Sequence, residues 1–218
     1  MTRRLGRWAA LSAAGLAAIA CVSRPGGPHE QALAEAIEKK DVAAARSAIA
    51  SGVDFDTDVA TAGERPQPLL VLLMDRIGLH VGPADPRLEE IAAAVFAAGA
   101  DPNYRVRRHA APAQGRRSVQ SGGPVCLAEL AVAARSPAVI DVLLKAGLRV
   151  KEECAGRALL QACRMGDTAV VQRLVAAGAD VNYRRTSYGV TETPLSAAVE
   201  EGHIEVVDIL DRVGAQEW

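Results

Sequence analysis

Large rings are scarce in this chain: Phe, Trp and Tyr together make up 3% of 218 residues, although half of the residues are apolar. A core built on aromatic side chains is therefore excluded, and closely packed small helices are expected instead. Charge of one sign is equally lacking. Lys and Arg number 25 against 26 Asp and Glu, which removes any bulk attraction to nucleic acid. Beyond the first twenty residues no apolar run, "PLLVLLM" at 68–74 included, approaches the roughly 18 residues of a membrane-spanning helix. Familiar catalytic signatures are missing as well: there is no H-E-x-x-H, no G-x-S-x-G and no phosphate loop. The histidines, His29, His80, His109 and His203, are scattered, and Glu200 and Glu201, adjacent on a helix, do not face one another. The expectation is a protein that is not an enzyme and needs no cofactor or metal.

Cysteines are few. Apart from Cys21 there are Cys126, Cys154 and Cys163, none in the C-x-x-C spacing of a zinc or redox site. A bond between Cys126 and Cys154 and free thiols are both compatible with the sequence, since helical geometry decides between them.

What is present begins with an unusual N-terminus. "MTRRLGRWAALSAAGLAAIAC" has basic residues at Arg3, Arg4 and Arg7, an apolar run from Trp8 to Ala20, and small residues leading to Cys21. That three-part layout is an export signal over residues 1–20. "AAIAC" resembles the lipobox of bacterial lipoproteins, with Ala18 where Leu is usual. The resemblance implies acylation of Cys21 and membrane association through that lipid; plain cleavage near Ala20 and retention as an anchor are the alternatives. The leader holds three Arg and no acid, so the remainder carries 22 basic against 26 acidic residues.

The other conspicuous feature is an echo: "AGADPNYR" at 98–105 returns as "AGADVNYR" at 177–184. Self-similarity at a regular spacing marks a repeat architecture. Glycines closing apolar helical runs recur at Gly52, Gly99, Gly147, Gly178 and Gly214, and helix starts at Ala32, Ala158 and Pro194 lie twenty residues before three of them. Each interval reads as two short amphipathic helices. The second is stretched, with 31 residues from Pro68 to Gly99 and Asp85-Pro86 as a cap and first turn for its second helix. The third runs 23 residues from Pro124 to Gly147, with Ser136-Pro137 in the same role.

The last interval, "TPLSAAVEEGHIEVVDILDRVGA", resembles an ankyrin repeat: T-P-L, a small-residue turn, G-H, paired aliphatics and G-A, with Ser196 in place of the usual His. Thr193 is a suitable cap, Pro194 suits the first turn, and Gly202 and Gly214 suit the two helix ends. The resemblance implies an all-α solenoid of about five helix-turn-helix units with finger loops. The units fall at about 30–65, 66–121, 122–154, 155–190 and 191–218, after a linker at 21–29. It implies a structural role for His203, a small buried position for Cys163, and a monomer that binds other proteins.

Two surfaces are candidates for that binding. The long finger at 104–123 carries Tyr104, Arg105, Arg107, Arg108, His109, Arg116 and Arg117 and no acid, and the next one adds Tyr183, Arg184, Arg185 and Tyr188. Arg with Tyr is the pairing enriched at the energetic centres of interfaces. A solvated loop and contact with anionic lipid headgroups are the competing readings. The second surface, implied by the resemblance, is the row of first-helix ends: Glu38 and Lys39, Met74 and Asp75, Arg164 and Met165, Glu200 and Glu201. The expected partner is a protein in the bacterial envelope, not nucleic acid, with an inhibitor or immunity protein and a structural adaptor as variants.

Overall fold

The computed structural model describes residues 26–61, 66–78, 85–106, 125–187 and 189–216. Among the described residues ten helices follow one another in five pairs. They are α1 (Pro28–Lys39) with α2 (Val42–Ala50), α3 (Leu69–Gly78) with α4 (Pro86–Ala97), α5 (Leu127–Ala133) with α6 (Pro137–Lys145), α7 (Glu153–Met165) with α8 (Thr168–Ala176), and α9 (Pro194–Glu200) with α10 (Ile204–Arg212). Three short antiparallel strand pairs join them: β1 (Asp58–Val59) with β2 (Gln67–Pro68), β3 (Arg105–Val106) with β4 (Val125–Cys126), and β5 (Arg185–Ser187) with β6 (Val190–Glu192). The junction at 146–152 contains turns only. The fold is mostly helical, and these hairpins are its fingers.

Local chemistry sets the helix boundaries. The carboxylate of Asp41 accepts the backbone N–H groups of Ala43 and Ala44, Asp85 that of Arg87, Ser136 that of Val139, and Asp167 that of Val170. Each satisfies donors that a helix start leaves open. Thr193 and Ser196 close a reciprocal cap, each hydroxyl accepting the other's backbone N–H. At the far ends, the five aligned glycines all adopt left-handed φ, from +79° at Gly214 to +102° at Gly99. Twelve residues before four of them the first helix stops in the same way, at Lys40, Arg135, Gly166 and Gly202.

Three details differ from the sequence expectation. The third pair is regular: α5 starts at Leu127, because the backbone N–H of Cys126 donates to Glu129 Oε2 at 3.0 Å and fixes the cap there. The stretch in the second pair is shared between longer helices and their connection, since α3 has 10 residues and α4 has 12 where α9 and α10 have 7 and 9. Finally α1 and α7 begin about a turn before Ala32 and Ala158, at Pro28 and Glu153.

First helices stack on first helices, α1 on α3, α5, α7 and α9 in turn, and second helices on second helices. Leu33, Leu70, Leu72, Leu127, Ala128, Leu159 and Ala162 are fully enclosed along the first row, and Ile91, Ile140, Val171 and Leu210 along the second. One continuous core results, as a pair that cannot bury its own apolar face requires. Ion pairs cross the first and third of these junctions. Arg76 meets Glu38, Lys40 meets Asp85 at 2.9 Å, Arg46 meets Glu90 at 2.7 Å, and Arg173 Nε lies 2.9 Å from both carboxylate oxygens of Asp141.

Candidate functional site

The repeated phrase proves to be joinery. Asp101 and Asp180 each accept the backbone N–H two residues ahead, that of Asn103 at 2.8 Å and Asn182 at 3.0 Å, tightening the turn out of the second helix. The asparagines then reach the following unit: Asn103 Oδ1 accepts the N–H of Arg149 at 2.8 Å while its amide donates to the carbonyl of Gly147, and Asn182 Oδ1 accepts the N–H of Gln216 at 2.9 Å. Next in the phrase, Tyr104 is half-buried against the core. Tyr183 is also half-buried, with its ring across the α7 backbone at Gly156, where an added Cβ would come within 2.4 Å of Cδ2. Each tyrosine is fastened to the scaffold, and the arginine after it is lifted onto the exposed edge.

Arg105 and Arg184 are accordingly exposed, and Arg185, in β5, is half-buried. Arg105 leans on the following unit through Glu152 at 3.3 Å, a carboxylate shared with Arg149 at 3.1 Å. Of the predicted finger residues, Arg107, Arg108, His109, Arg116, Arg117 and Tyr188 lie outside the described residues, as do Cys21 and the leader. The described edge is not uniformly basic. In the first unit Asp56 takes the place of the asparagine; burial, then Asp54 and Asp101, push its carboxyl above the usual range. Burial, then Asp56 and Asp58, likewise raise the Tyr104 phenol. The hairpin edge therefore runs from an acidic first junction to arginines at the second and fourth.

The first-helix ends depart further from expectation. Met74 is only 1% exposed, because α3 continues past it to Gly78 and carries it into the core. Arg164 is half-buried and its guanidinium is taken up by Glu192 in β6, so it ties α7 to the last hairpin. Glu38 is engaged with Arg76. Glu200 and Glu201 remain exposed. His203 caps the row structurally: its Nε2 lies 2.9 Å from the carbonyl of Arg164, and its ring covers Gly166.

A buried bond set joins α5 to α7; sequence reasoning left its cysteine pairing open and missed its ion pair. Cys126 and Cys154 form a disulfide. One turn along, Arg157 grips Glu129 in a bidentate pair, Nη2 to Oε2 at 2.7 Å and Nε to Oε1 at 3.0 Å, with side chains 8% and 11% exposed. The ion pair left no local signal in the sequence, and Gly156, the glycine inside α7, marks the approach of the Tyr183 ring and not of α5. Cys163 is a free buried thiol that burial pushes up to about 12, and so an inert packing group. Among the described residues no cluster of His, Cys, Asp or Glu is placed to hold a metal, and no helix is long and apolar enough to cross a membrane.

Comparison with known proteins agrees with this geometry. Residues 129–216 match the family model for ankyrin repeats, in three copies. The crystal structure of the human ASB11 ankyrin repeat domain superimposes with a TM-score of 0.57 at 20% identity, over 84% of this chain and 69% of that one. No curated protein sequence matches the chain. Residues 129–216 thus resemble ankyrin repeats, and the fold of the described residues, helix pairs stacked in two rows, is that of an ankyrin-repeat domain.

Proposed function

We propose that this is an exported protein, held at a membrane of the bacterial envelope by a lipid on Cys21, that binds another protein along its hairpin edge. The observation that carries the binding reading is the equivalence of Arg105 and Arg184. Each stands directly after a tyrosine fastened to the scaffold, so each guanidinium is presented from a rigid base at the same place in its unit. Preorganisation of that kind lowers the entropy lost on binding. Arg185 and the long arginine-bearing finger extend the basic stretch toward an acidic partner surface. Export is supported by the leader layout and by the Cys126–Cys154 disulfide, a bond that persists in oxidising compartments.

The test is affinity capture from gently solubilised cells with the full chain. It compares wild type with a variant in which Arg105, Arg107, Arg108, Arg184 and Arg185 are changed to Ser. A protein retained by wild type and lost by the variant supports the reading; retention by both, or by neither, refutes the arginine edge. If the captured partner is an enzyme or toxin silenced at one-to-one stoichiometry, the chain is an inhibitor; several weaker partners make it an adaptor. Mass spectrometry of the mature N-terminus decides the anchor. Diacylglycerol on Cys21 is the expected mass, and an unmodified terminus near residue 21 or an intact leader refutes it.

A further inference from the structure

The three hairpins are not equally able to hold themselves. β5 and β6 share three register pairs across a connection of two residues, and the hydroxyls of Thr186 and Thr191 meet at 3.0 Å. β1 and β2 share two pairs across seven residues. β3 and β4 also share two, Arg105 with Cys126 and Val106 with Val125, but eighteen residues of chain, 107–124, separate them. A two-stranded hairpin is marginal by itself, and the entropy lost on closing it grows with the length of its loop. The hairpin that presents Arg105 is thus the one least able to close unaided.

That same hairpin carries the disulfide. Cys126 is the register partner of Arg105, and its sulfur is bonded to Cys154, two residues beyond Glu152, whose carboxylate accepts from the Arg105 guanidinium at 3.3 Å. Asn103 reaches the same turn, at Gly147 and Arg149. A closed circuit therefore runs from Arg105 across the ladder to Cys126, through the sulfurs to Cys154, and back by way of Glu152. The turn at 146–152 contributes no strand that would keep the circuit shut, and the Glu129–Arg157 pair joins the two helix bodies one turn farther along.

Neither sulfur is open to attack in the fold. Cys126 is 2% and Cys154 7% exposed, so a thiol reductant has no approach to the bond once the helices have packed. The remaining thiol, Cys163, is buried and stays protonated, which keeps it from exchanging with the pair. A bond placed in this way is made once, as the chain folds, and then persists.

We propose that the Cys126–Cys154 bond is a one-way latch on the arginine edge: the chain is competent to bind its partner only after these two thiols have been oxidised. The thiols give up two protons and two electrons to a disulfide-type oxidant, which is released as a dithiol while the S–S bond forms. Before that step the β3–β4 hairpin is open and Arg105 has no fixed place; after it, Arg105 is presented as Arg184 is. Binding is thereby confined to an oxidising compartment and denied to any copy not yet exported. The gating of binding rests on the binding reading given above; the closing of the hairpin does not.

The experiment compares the oxidised full chain with C126A/C154A by hydrogen exchange read by mass spectrometry. Segments 103–106 and 147–154 are expected to exchange faster in the variant by a factor on the order of ten or more, the factor by which closing eighteen residues is less favourable than closing two. Segment 183–187, whose hairpin holds itself, should keep its rate. Equal exchange in both proteins overturns the latch, and so does an equal acceleration of 183–187, which would make the bond a general brace. Replacing 107–124 in C126A/C154A by a two-residue connection should return 103–106 to the wild-type rate, and no return overturns the account. Dithiothreitol without denaturant should leave the native bond intact, with no iodoacetamide adduct on Cys126 or Cys154; ready reduction in the fold overturns the one-way claim. Capture from cells is then repeated with oxidised wild type, C126A/C154A and Arg105→Ser. The protein retained by wild type should be lost from C126A/C154A at least as far as from Arg105→Ser, and full retention overturns the gating. A wild type that retains nothing refutes the arginine edge and its gating together, while hydrogen exchange still decides whether the bond closes the hairpin.

Discussion

Removing either member of the Glu129–Arg157 pair should cost far more than removing any surface ion pair in this chain. Both side chains are about nine-tenths buried, so water neither screens the attraction nor rescues an abandoned charge. The two losses are not equivalent. Arg157→Met leaves the Glu129 carboxylate with the backbone N–H of Cys126 as a remaining donor at 3.0 Å. Glu129→Leu leaves a buried guanidinium whose other carboxylate, that of Glu153, is 3.8 Å away and mostly exposed, and it also strips the Cys126 N–H of its acceptor. Breaking a buried pair typically costs 3–5 kcal/mol, which places Arg157→Met at about 3 kcal/mol and Glu129→Leu near ~5 kcal/mol. Replacing both with apolar groups removes the stranded charge, so the double variant should lose less than the sum, with a coupling of about 2 kcal/mol or more. Urea unfolding of the four oxidised proteins, followed by far-ultraviolet circular dichroism, gives the cycle. Additive effects, or single losses under about 1 kcal/mol, would mean that the pair behaves like an exposed one, and would refute the claim that it locks α5 to α7.

Reducing the Cys126–Cys154 bond, or changing both residues to Ser, should lower stability by about 3.5 kcal/mol on the chain-entropy argument for a separation of 28, read from denaturant midpoints with and without reductant. In the same samples Cys163 should resist alkylation at pH 9 until the chain unfolds, since its thiol ionises only near 12 in the fold; rapid labelling of the native protein would contradict its burial. Gly156→Ala should destabilise by ~1–2 kcal/mol despite the better helix propensity of Ala, because its Cβ meets the Tyr183 ring, and the penalty should vanish in a Tyr183→Ala background. Asp56→Asn should stabilise at neutral pH. The carboxyl of Asp56 is raised in the fold above its ordinary 3.8, so the wild type loses stability as pH rises from about that value through the folded-state pKa. The variant should lack that loss, and an unchanged pH profile would refute the raised carboxyl that burial, then Asp54 and Asp101, produce.

The pairing of helices was legible because its signals are local. A glycine forced into left-handed φ, a carboxylate or hydroxyl at a helix start and a proline in the first turn each act within a few residues, so spacing alone locates them. Asp85-Pro86, Ser136-Pro137 and Thr193-Pro194 all cap as the sequence suggests. Where a start has no such residue, the reading slipped. Leu127 follows a cysteine, and α7 opens at Glu153 without a side-chain cap, so the proline at 124 and the run "RALLQAC" drew attention to the wrong turn.

That slip explains why the Glu129–Arg157 half of the lock between α5 and α7 went unseen, while the Cys126–Cys154 bond stayed one of two open readings. Aligning Gly147 with Gly178 places Cys126 opposite Arg157, at a separation of 31, and in that frame nothing pairs. The contacts run at 28 instead, for Cys126 with Cys154 and for Glu129 with Arg157 alike. The offset of three residues is close to one helical turn, which is the turn by which α7 begins early. Two covalent or ionic links that share one offset fix the stacking of the pair along the helix axis. A single link would permit tilt about it; two, a turn apart and both buried, hold the α5–α7 junction at one register. Both Arg105, which pairs with Glu152 just before α7, and Tyr183, whose ring rests on Gly156 within it, depend on that register. The presentation of the arginine edge is therefore set by a junction that none of the edge residues belongs to.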